Sequence, residues 1–374
     1  MRLLSSMTRG RQKFSTAALL IAFALNLSAA ETWDLSELPA YLPQQMVSGV
    51  IRNYGIDYAG TLQKWEEGFR KRQPGVRFDD KFPGSDAAII SGLVSGVADL
   101  ATNGREAMLI EYLAFTEAFG HDLTEVTVAT GAADIKGRTW SLVIYVHRDN
   151  PLTKLTLKQL DGIFGAERTG GYAGYKWMPL AARGPEDNIR KWGQLGLNGE
   201  WADQPIHTYG YTFTGMANFF QLKVFHGGDK WAPNYREYVE AGKMVADCPI
   251  GAMGNIQRML THELAQDRYG IAWTGIAQTE GIAEIKPLAL AANDAGPFVV
   301  PNRRTVQQRI YPLTRSVFIQ LNREPGRPLD SKLREFLRYI LSREGQQDVA
   351  DNGNYLPLTA ETVREQRARL DANL

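Results

Sequence analysis

From Ile51 onward, short apolar segments alternate with amphipathic ones, and this alternation restricts the fold more than any other feature of the sequence. Ile51-Arg52-Asn53-Tyr54 reads as a strand ending at Gly55. Leu62, Trp65 and Phe69 then share one face at helical spacing. Val76-Arg77-Phe78 is the next strand. Ser85 opens a helix expected to turn Ala87, Ile90, Val94 and Val97 inward, and Ala98-Asp99-Leu100-Ala101 is a third strand. Strand, helix, strand, helix, strand in quick succession predicts βαβ units around a parallel sheet, and therefore an α/β fold.

The same grammar continues. Trp140 to Val146 is strongly β-prone and ends at Asn150-Pro151, because the residue before proline avoids the α region. Thr156 and Gln159 have capping-box spacing and start a helix through Ile163-Phe164, followed by a loop from Gly165 to Gly174. Thr214 caps a helix carrying Phe219, Phe220 and Val224. Ile271-Ala272-Trp273 and Ser316 to Leu321 read as strands. Helices start at Asp330 and Ser342, and a charged surface helix spans Glu361 to Leu374.

Length and charge narrow the function classes. The 374 residues are enough for two lobes, each with its own core. Lys+Arg 42 against Asp+Glu 41 leaves a net charge of +1, without the basic excess of a nucleic-acid binder. Residues 1–30 read as a signal peptide: Arg2, Arg9, Arg11 and Lys13 lead, Phe14 to Leu27 is mostly apolar, and Ser28-Ala29-Ala30 offers small residues before a cut at Glu31. This predicts a periplasmic protein. The single cysteine, Cys248, excludes an internal disulfide and reads as an unpaired thiol.

Catalytic patterns are missing. His262-Glu263-Leu264-Ala265-Gln266 falls one residue short of the zinc-protease helix, since Gln266 stands where the second histidine must ligate. No nucleophile elbow and no phosphate-cradling P-loop occurs. The sequence therefore calls for no cofactor and no metal, and for a binding protein rather than an enzyme.

What the chain does offer is small polar residues where strands turn into helices: Gly55-Ile56-Asp57-Tyr58, Pro83-Gly84-Ser85-Asp86, Asn103-Gly104-Arg105-Glu106 and Thr212-Phe213-Thr214-Gly215-Met216. Ser and Thr cap helices routinely, so each turn alone says little. Four such turns, three of them after successive strands, point to an anion held by helix N–H groups at the carboxyl ends of strands.

With these marks the chain resembles the periplasmic phosphate-binding proteins of ABC transporters, a branch of the type II solute-binding proteins. The resemblance runs from about Ile51 to Leu358. It rests on Phe82-Pro83-Gly84-Ser85, on Ala98 to Ala101 leading to Gly104-Arg105-Glu106, and on Val143 to Val146 with Asp149-Asn150-Pro151-Leu152. Leu155 to Leu160, Tyr311-Pro312-Leu313-Thr314-Arg315, Glu335 to Ser342 with Glu344-Gly345-Gln346, and Tyr355-Leu356-Pro357-Leu358 complete it.

The resemblance implies a two-lobed periplasmic binding protein of type II with the ligand cleft between the lobes. Lobe 1 is expected to be discontinuous, residues 31–138 and 315–374, and lobe 2 to span 139–314. The chain would leave lobe 1 near Gly137-Arg138-Thr139 and return near Tyr311 to Arg315. The implied function is capture of phosphate or a related oxyanion for an ABC permease in the inner membrane. Asp57, Tyr58, Ser85, Asp86, Arg105, Thr212, Thr214, Gly215 and Met216 are the expected ligand contacts. Asp57 or Asp86 would accept the proton of a monohydrogen phosphate and repel sulfate. The sequence departs from the family at the second-lobe turn, usually Ser-Gly-Thr with an arginine upstream and here Thr214-Gly215-Met216 after Tyr209-Gly210-Tyr211. The guanidinium must come from elsewhere, from Arg105 first and Arg183 second. That departure, with Trp177, Trp192, Trp201, Tyr209 and Tyr211 nearby, supports an alternative: the same fold with a different ligand, or a sensor or envelope-partner role.

Overall fold

The computed structural model describes residues 33–239 and 256–372. The signal-peptide reading and Cys248 lie outside the described residues. Two five-stranded sheets dominate, and they share one plan. The first runs in the order Gly75–Lys81, Ser48–Gly55, Leu100–Asn103, Ser316–Leu321, Thr124–Thr130. The second runs Tyr235–Tyr238, His207–Tyr211, Gly270–Thr274, Val143–His147, Ile285–Pro287. In each, three parallel strands come first, and the fourth strand lies antiparallel to both of its neighbours. In the first sheet that fourth strand arrives late in the chain, after the whole second sheet has been laid down. This is the two-lobed α/β architecture expected from the alternating pattern.

Local sequence explains most elements. Leu62, Trp65 and Phe69 are buried on the Thr61–Arg72 helix. Phe69 lies 5.2 Å from Phe336 of the Ser331–Ile340 helix, ring centre to ring centre, and Trp65 donates to the Gly345 carbonyl at 2.8 Å. Late helices thus return to seal the first sheet. In the second lobe Trp273 stacks on Phe220 at 5.2 Å, and Trp231 lies on Tyr235 at 4.1 Å. Tyr209, Tyr211, Trp192 and Trp201, the aromatics that suggested a different ligand, are buried in this core, while Trp177 is half-exposed on a hairpin. The Thr156–Gln159 capping box forms as read and opens the Leu157–Phe164 helix.

Two readings need correction, and two elements go unread. The helix opening at Ser85 does not bury Ile90 or Val97, and Ala87 and Val94 are only partly buried. Beyond Ala87 it widens into a π-helix, Ala88–Val94, with Ser95 N–H bonded to the Ile90 carbonyl. The wider turn rotates the inward face to Ala88, Ile89, Gly92 and Leu93. The stretch from Gly165 to Gly174 is not all loop, because Gly171–Ala173 pairs with Lys176–Met178. The Leu109–Phe119 helix and the Thr124–Thr130 strand carry no clear sequence signal: Leu109–Phe119 is apolar on several sides and leaves Ile110 and Leu113 exposed.

Candidate functional site

The parallel strands of the first sheet deliver three turns to one place. Gly55 ends its strand at φ +143, and a Cβ there would meet the Thr102 carbonyl oxygen at 2.0 Å. Only glycine lets the two strand ends close up, with Ile56 N–H on Thr102 O at 3.0 Å. Ile56, Ser85 and Gly104-Arg105 then line one wall of a cleft of about 290 Å³. Arg138, Thr139 and Trp140, on the chain leaving the first sheet, and Arg315, on the chain returning to it, line the cleft as well. Across it stand Gly215 and Met216, the first turn of the Gly215–Val224 helix.

The donors are arranged for an anion. Ser85 Oγ accepts from Gly104 N–H at 3.3 Å, which leaves the Ser85 proton available to a ligand. Thr139 Oγ1 donates to the Gly104 carbonyl, so two hydroxyls hold the peptides on either side of Gly104. Thr214 Oγ1 caps the second-lobe helix by accepting from Ala217 N–H at 3.4 Å. The N–H groups of Gly215 and Met216, in the first turn, have no intrahelical partner and carry the positive end of the helix dipole. A Cβ on Gly215 would lie 2.9 Å from Arg105 Cδ, so glycine lets this helix end press against the opposite wall.

Arg315 contributes the guanidinium. Only 3% of it is exposed. One nitrogen, Nη2, reaches Glu106 Oε2 at 2.8 Å and the Gly215 carbonyl at 3.2 Å. Its Cζ sits 5.3 Å from the Phe219 ring centre. Its Nε is buried without an acceptor. The side chain therefore lines the cleft with Nη2 engaged and Nε enclosed by protein atoms. Arg138 gives Nε to Asn354 and Nη1 to the Gly137 carbonyl, both neutral acceptors, and forms no ion pair among the described residues. Burial raises the Tyr355 hydroxyl above its ordinary pKa, which keeps it a neutral group in the lining.

No family model matches the chain. The phosphate-binding protein PstS of Pseudomonas aeruginosa is 29% identical over 356 residues, 95% of this chain and 97% of its own. The chain is similar to the phosphate-binding proteins along almost its whole length. SphX of Synechocystis is 28% identical over 187 residues, about half of each protein. Among solved structures, PstS of Borrelia burgdorferi superposes with a TM-score of 0.50 at 15% identity, covering 83% of this chain and all of that one, a likeness of fold.

The site residues picked from sequence divide. Ser85, Arg105, Gly215 and Met216 line the cleft, and Thr214 stands behind it as the helix cap. Arg105 is the main correction. Its two terminal nitrogens fork onto Glu111 at 2.8 Å each, and its Nε reaches Asp86 at 3.2 Å. Those carboxylates raise its pKa against the opposing cost of burial. A guanidinium engaged this way is scaffold, and the fork expected for the ligand already holds Glu111. Asp86 points outward with a 92% exposed side chain. Asp57 turns back to accept from Ala59 N–H at 2.9 Å. Tyr58 is fully buried: its hydroxyl donates to the Phe318 carbonyl and accepts from Asn103 N–H at 2.8 Å, holding the strand end that precedes Gly104. Thr212 Oγ1 donates to Glu237 at 3.1 Å and does not reach the cleft. Arg183 lines a different cleft, inside the second lobe.

Sequence reasoning missed Arg138, Thr139, Trp140 and Arg315 as site residues. The available signal was topological. Residues 137–139 and 311–315 are the two connections expected between lobes, and connections between lobes border any cleft between them.

Proposed function

We propose that the chain is an extracytoplasmic solute-binding protein that captures phosphate or a related oxyanion between its lobes for an ABC transporter of the inner membrane. The observation that carries this reading is the meeting of the buried Arg315 guanidinium and the open first turn of the Gly215–Val224 helix in one cleft. The similarity to a phosphate-binding protein over 95% of the chain supports the same ligand class. Capture and release need no covalent step, and the protein acts as a carrier rather than an enzyme. Residues 1–30 are removed on export. The first lobe comprises 31–138 and 315–374, the second 139–314, joined by two connections that permit hinge closure.

In the site, the anion takes the Ser85 hydroxyl, the Gly215 and Met216 N–H groups, and the guanidinium groups of Arg315 and Arg138. Closing the lobes excludes water and strengthens each of these bonds. Calorimetry of the protein from Glu31 onward against phosphate, sulfate, molybdate and a phosphonate tests the reading. Phosphate should bind tightest, at one interlobe site, and Arg315→Met should weaken it. Absence of binding for all four anions would reject it. A second reading, another oxyanion as the physiological cargo, draws on Met216, whose thioether lines the cleft where the family usually places a hydroxyl. The same titration series separates the two.

A further inference from the structure

A hairpin of the second lobe reaches the first lobe outside the interlobe cleft. Its strands are Gly171–Ala173 and Lys176–Met178, and Gly174 takes φ +60 at the turn between them. The base of the hairpin is fixed. Tyr172 N–H donates to the His226 carbonyl, and the Tyr172 ring meets Trp177 edge-on at 5.1 Å. The tip carries Tyr175. Its hydroxyl donates to Asp122, and its ring centre lies 6.5 Å from that of Tyr112. Both partners belong to the first lobe: Tyr112 sits on the Leu109–Phe119 helix and Asp122 just before the Thr124–Thr130 strand. None of the three lines the interlobe cleft.

The seat beneath this contact leads to the cleft wall. The Tyr112 hydroxyl donates to Glu125, and Gln320 Nε2 holds the other Glu125 oxygen at 2.8 Å. Asn103 Nδ2 donates to Gln320 Oε1 at 3.1 Å, while Asn103 Oδ1 accepts from Arg105 N–H at 3.2 Å. Tyr112, Glu125, Gln320 and Asn103 thus form one chain of hydrogen bonds from beneath Tyr175 to the Gly104-Arg105 turn. Asn103 and Gln320 are fully buried, which shields their bonds from competing water. The Tyr175–Asp122 bond differs. Asp122 is exposed, so water takes its place at small net cost when the lobes part.

We propose that Tyr175 and Asp122 form a clasp that holds the lobes shut over a captured anion. They are positioning residues for capture, and the proposal rests on the reading that the anion lies between the lobes. A contact made only in the closed form raises the closed fraction, and apparent affinity scales with that fraction. The clasp touches no ligand, so it slows release and leaves the chemistry of the cleft as it is.

Stopped-flow measurement of phosphate release from the mature protein tests this. Tyr175→Phe and Asp122→Ala should each speed release by about three- to tenfold, as expected for one hydrogen bond, with the association rate and the ligand-free unfolding midpoint unchanged. The double variant should release no faster than the faster single one, because both substitutions remove the same bond. Unchanged release in either single variant overturns the proposal. So do effects that multiply in the double variant, or slower association in place of faster release. A wild-type protein that binds no phosphate would reject the cargo reading, and the clasp is then tested without ligand. In a Cys248→Ser background, a short bis-maleimide should join Tyr175→Cys to Asp122→Cys within one chain. Absence of that cross-link overturns the clasp.

Discussion

The two clefts are built on the same pairing of arginines and diverge in what surrounds it. Between the lobes, Arg105 is neutralised by Glu111 and Asp86 while Arg315 keeps an unpaired Nε. Inside the second lobe, Arg168 is neutralised by Asp161 while Arg183 keeps an unpaired Nη2. In each case one guanidinium is fully engaged and its neighbour, though ion-paired with Glu106 or Asp161, encloses a nitrogen without an acceptor. The difference lies in the helix end that faces the pair. The interlobe cleft receives a helix N-terminus, which adds positive potential and open N–H groups. The second-lobe cleft abuts a helix C-terminus, whose carbonyls are already capped by Arg190. The first cleft therefore gathers donors for an anion with several oxygens, and the second, lined by Asp161, Glu186, Asp187 and Asp294, does not. An arginine in a cleft is informative only after its partners are counted.

Substitutions at the framework pairs should have the largest effects. Asp161→Ala strips the partner from Arg168 and the nearest carboxylate from Arg183. We expect a loss of stability of about 3–5 kcal/mol, read by denaturant unfolding. Glu111→Ala should cost a similar amount, at the lower end, because it frees one buried guanidinium rather than two. If either variant were as stable as the wild type, the framework role would be wrong. Next comes Arg315→Met, which strips Glu106 of its ion pair and should weaken phosphate binding by roughly ten- to a hundredfold, about 1.5–3 kcal/mol, by calorimetry. Equal weakening by Arg105→Lys, with no change for Arg315→Met, would exchange their roles. The smallest effect belongs to Thr214→Val. Losing the cap should cost about 1 kcal/mol of stability and a modest fraction of affinity, because the N–H groups that face the cleft are backbone and remain.

Much of the fold was legible because periodicity reports burial. Trp65 and Phe69, the Thr156 capping box and the buried Ile271-Ala272-Trp273 strand all obey local rules and formed as read. The π-helix after Ser85 was not legible, since helical spacing presumes a normal turn and nothing in Ala88–Val94 signals a wider one. The site was legible in part. Ser85 and the Thr214-Gly215 turn carry the small polar residues that helix starts demand. Tyr58, Asp57 and Thr212 have the same residue types and sit at similar turns, yet their polar atoms are engaged by Asn103, Ala59 and Glu237. Arg105 and Arg315 both border the cleft. Only the placement of Glu111, six residues after Arg105 and folded back onto it, decides which of them is occupied.

The position of Arg315 has a mechanical consequence. It immediately precedes Ser316–Leu321, the strand by which the chain re-enters the first sheet, and Arg138, Thr139 and Trp140 lie on the outgoing connection. The groups that would hold the cargo therefore stand on the axle about which the lobes would swing. A force that splays the lobes would draw the Gly215 carbonyl away from Arg315 and the helix end away from Arg105 in one movement. Grip and posture would then be a single variable, and a docking partner could empty the protein by torque alone, without touching the anion.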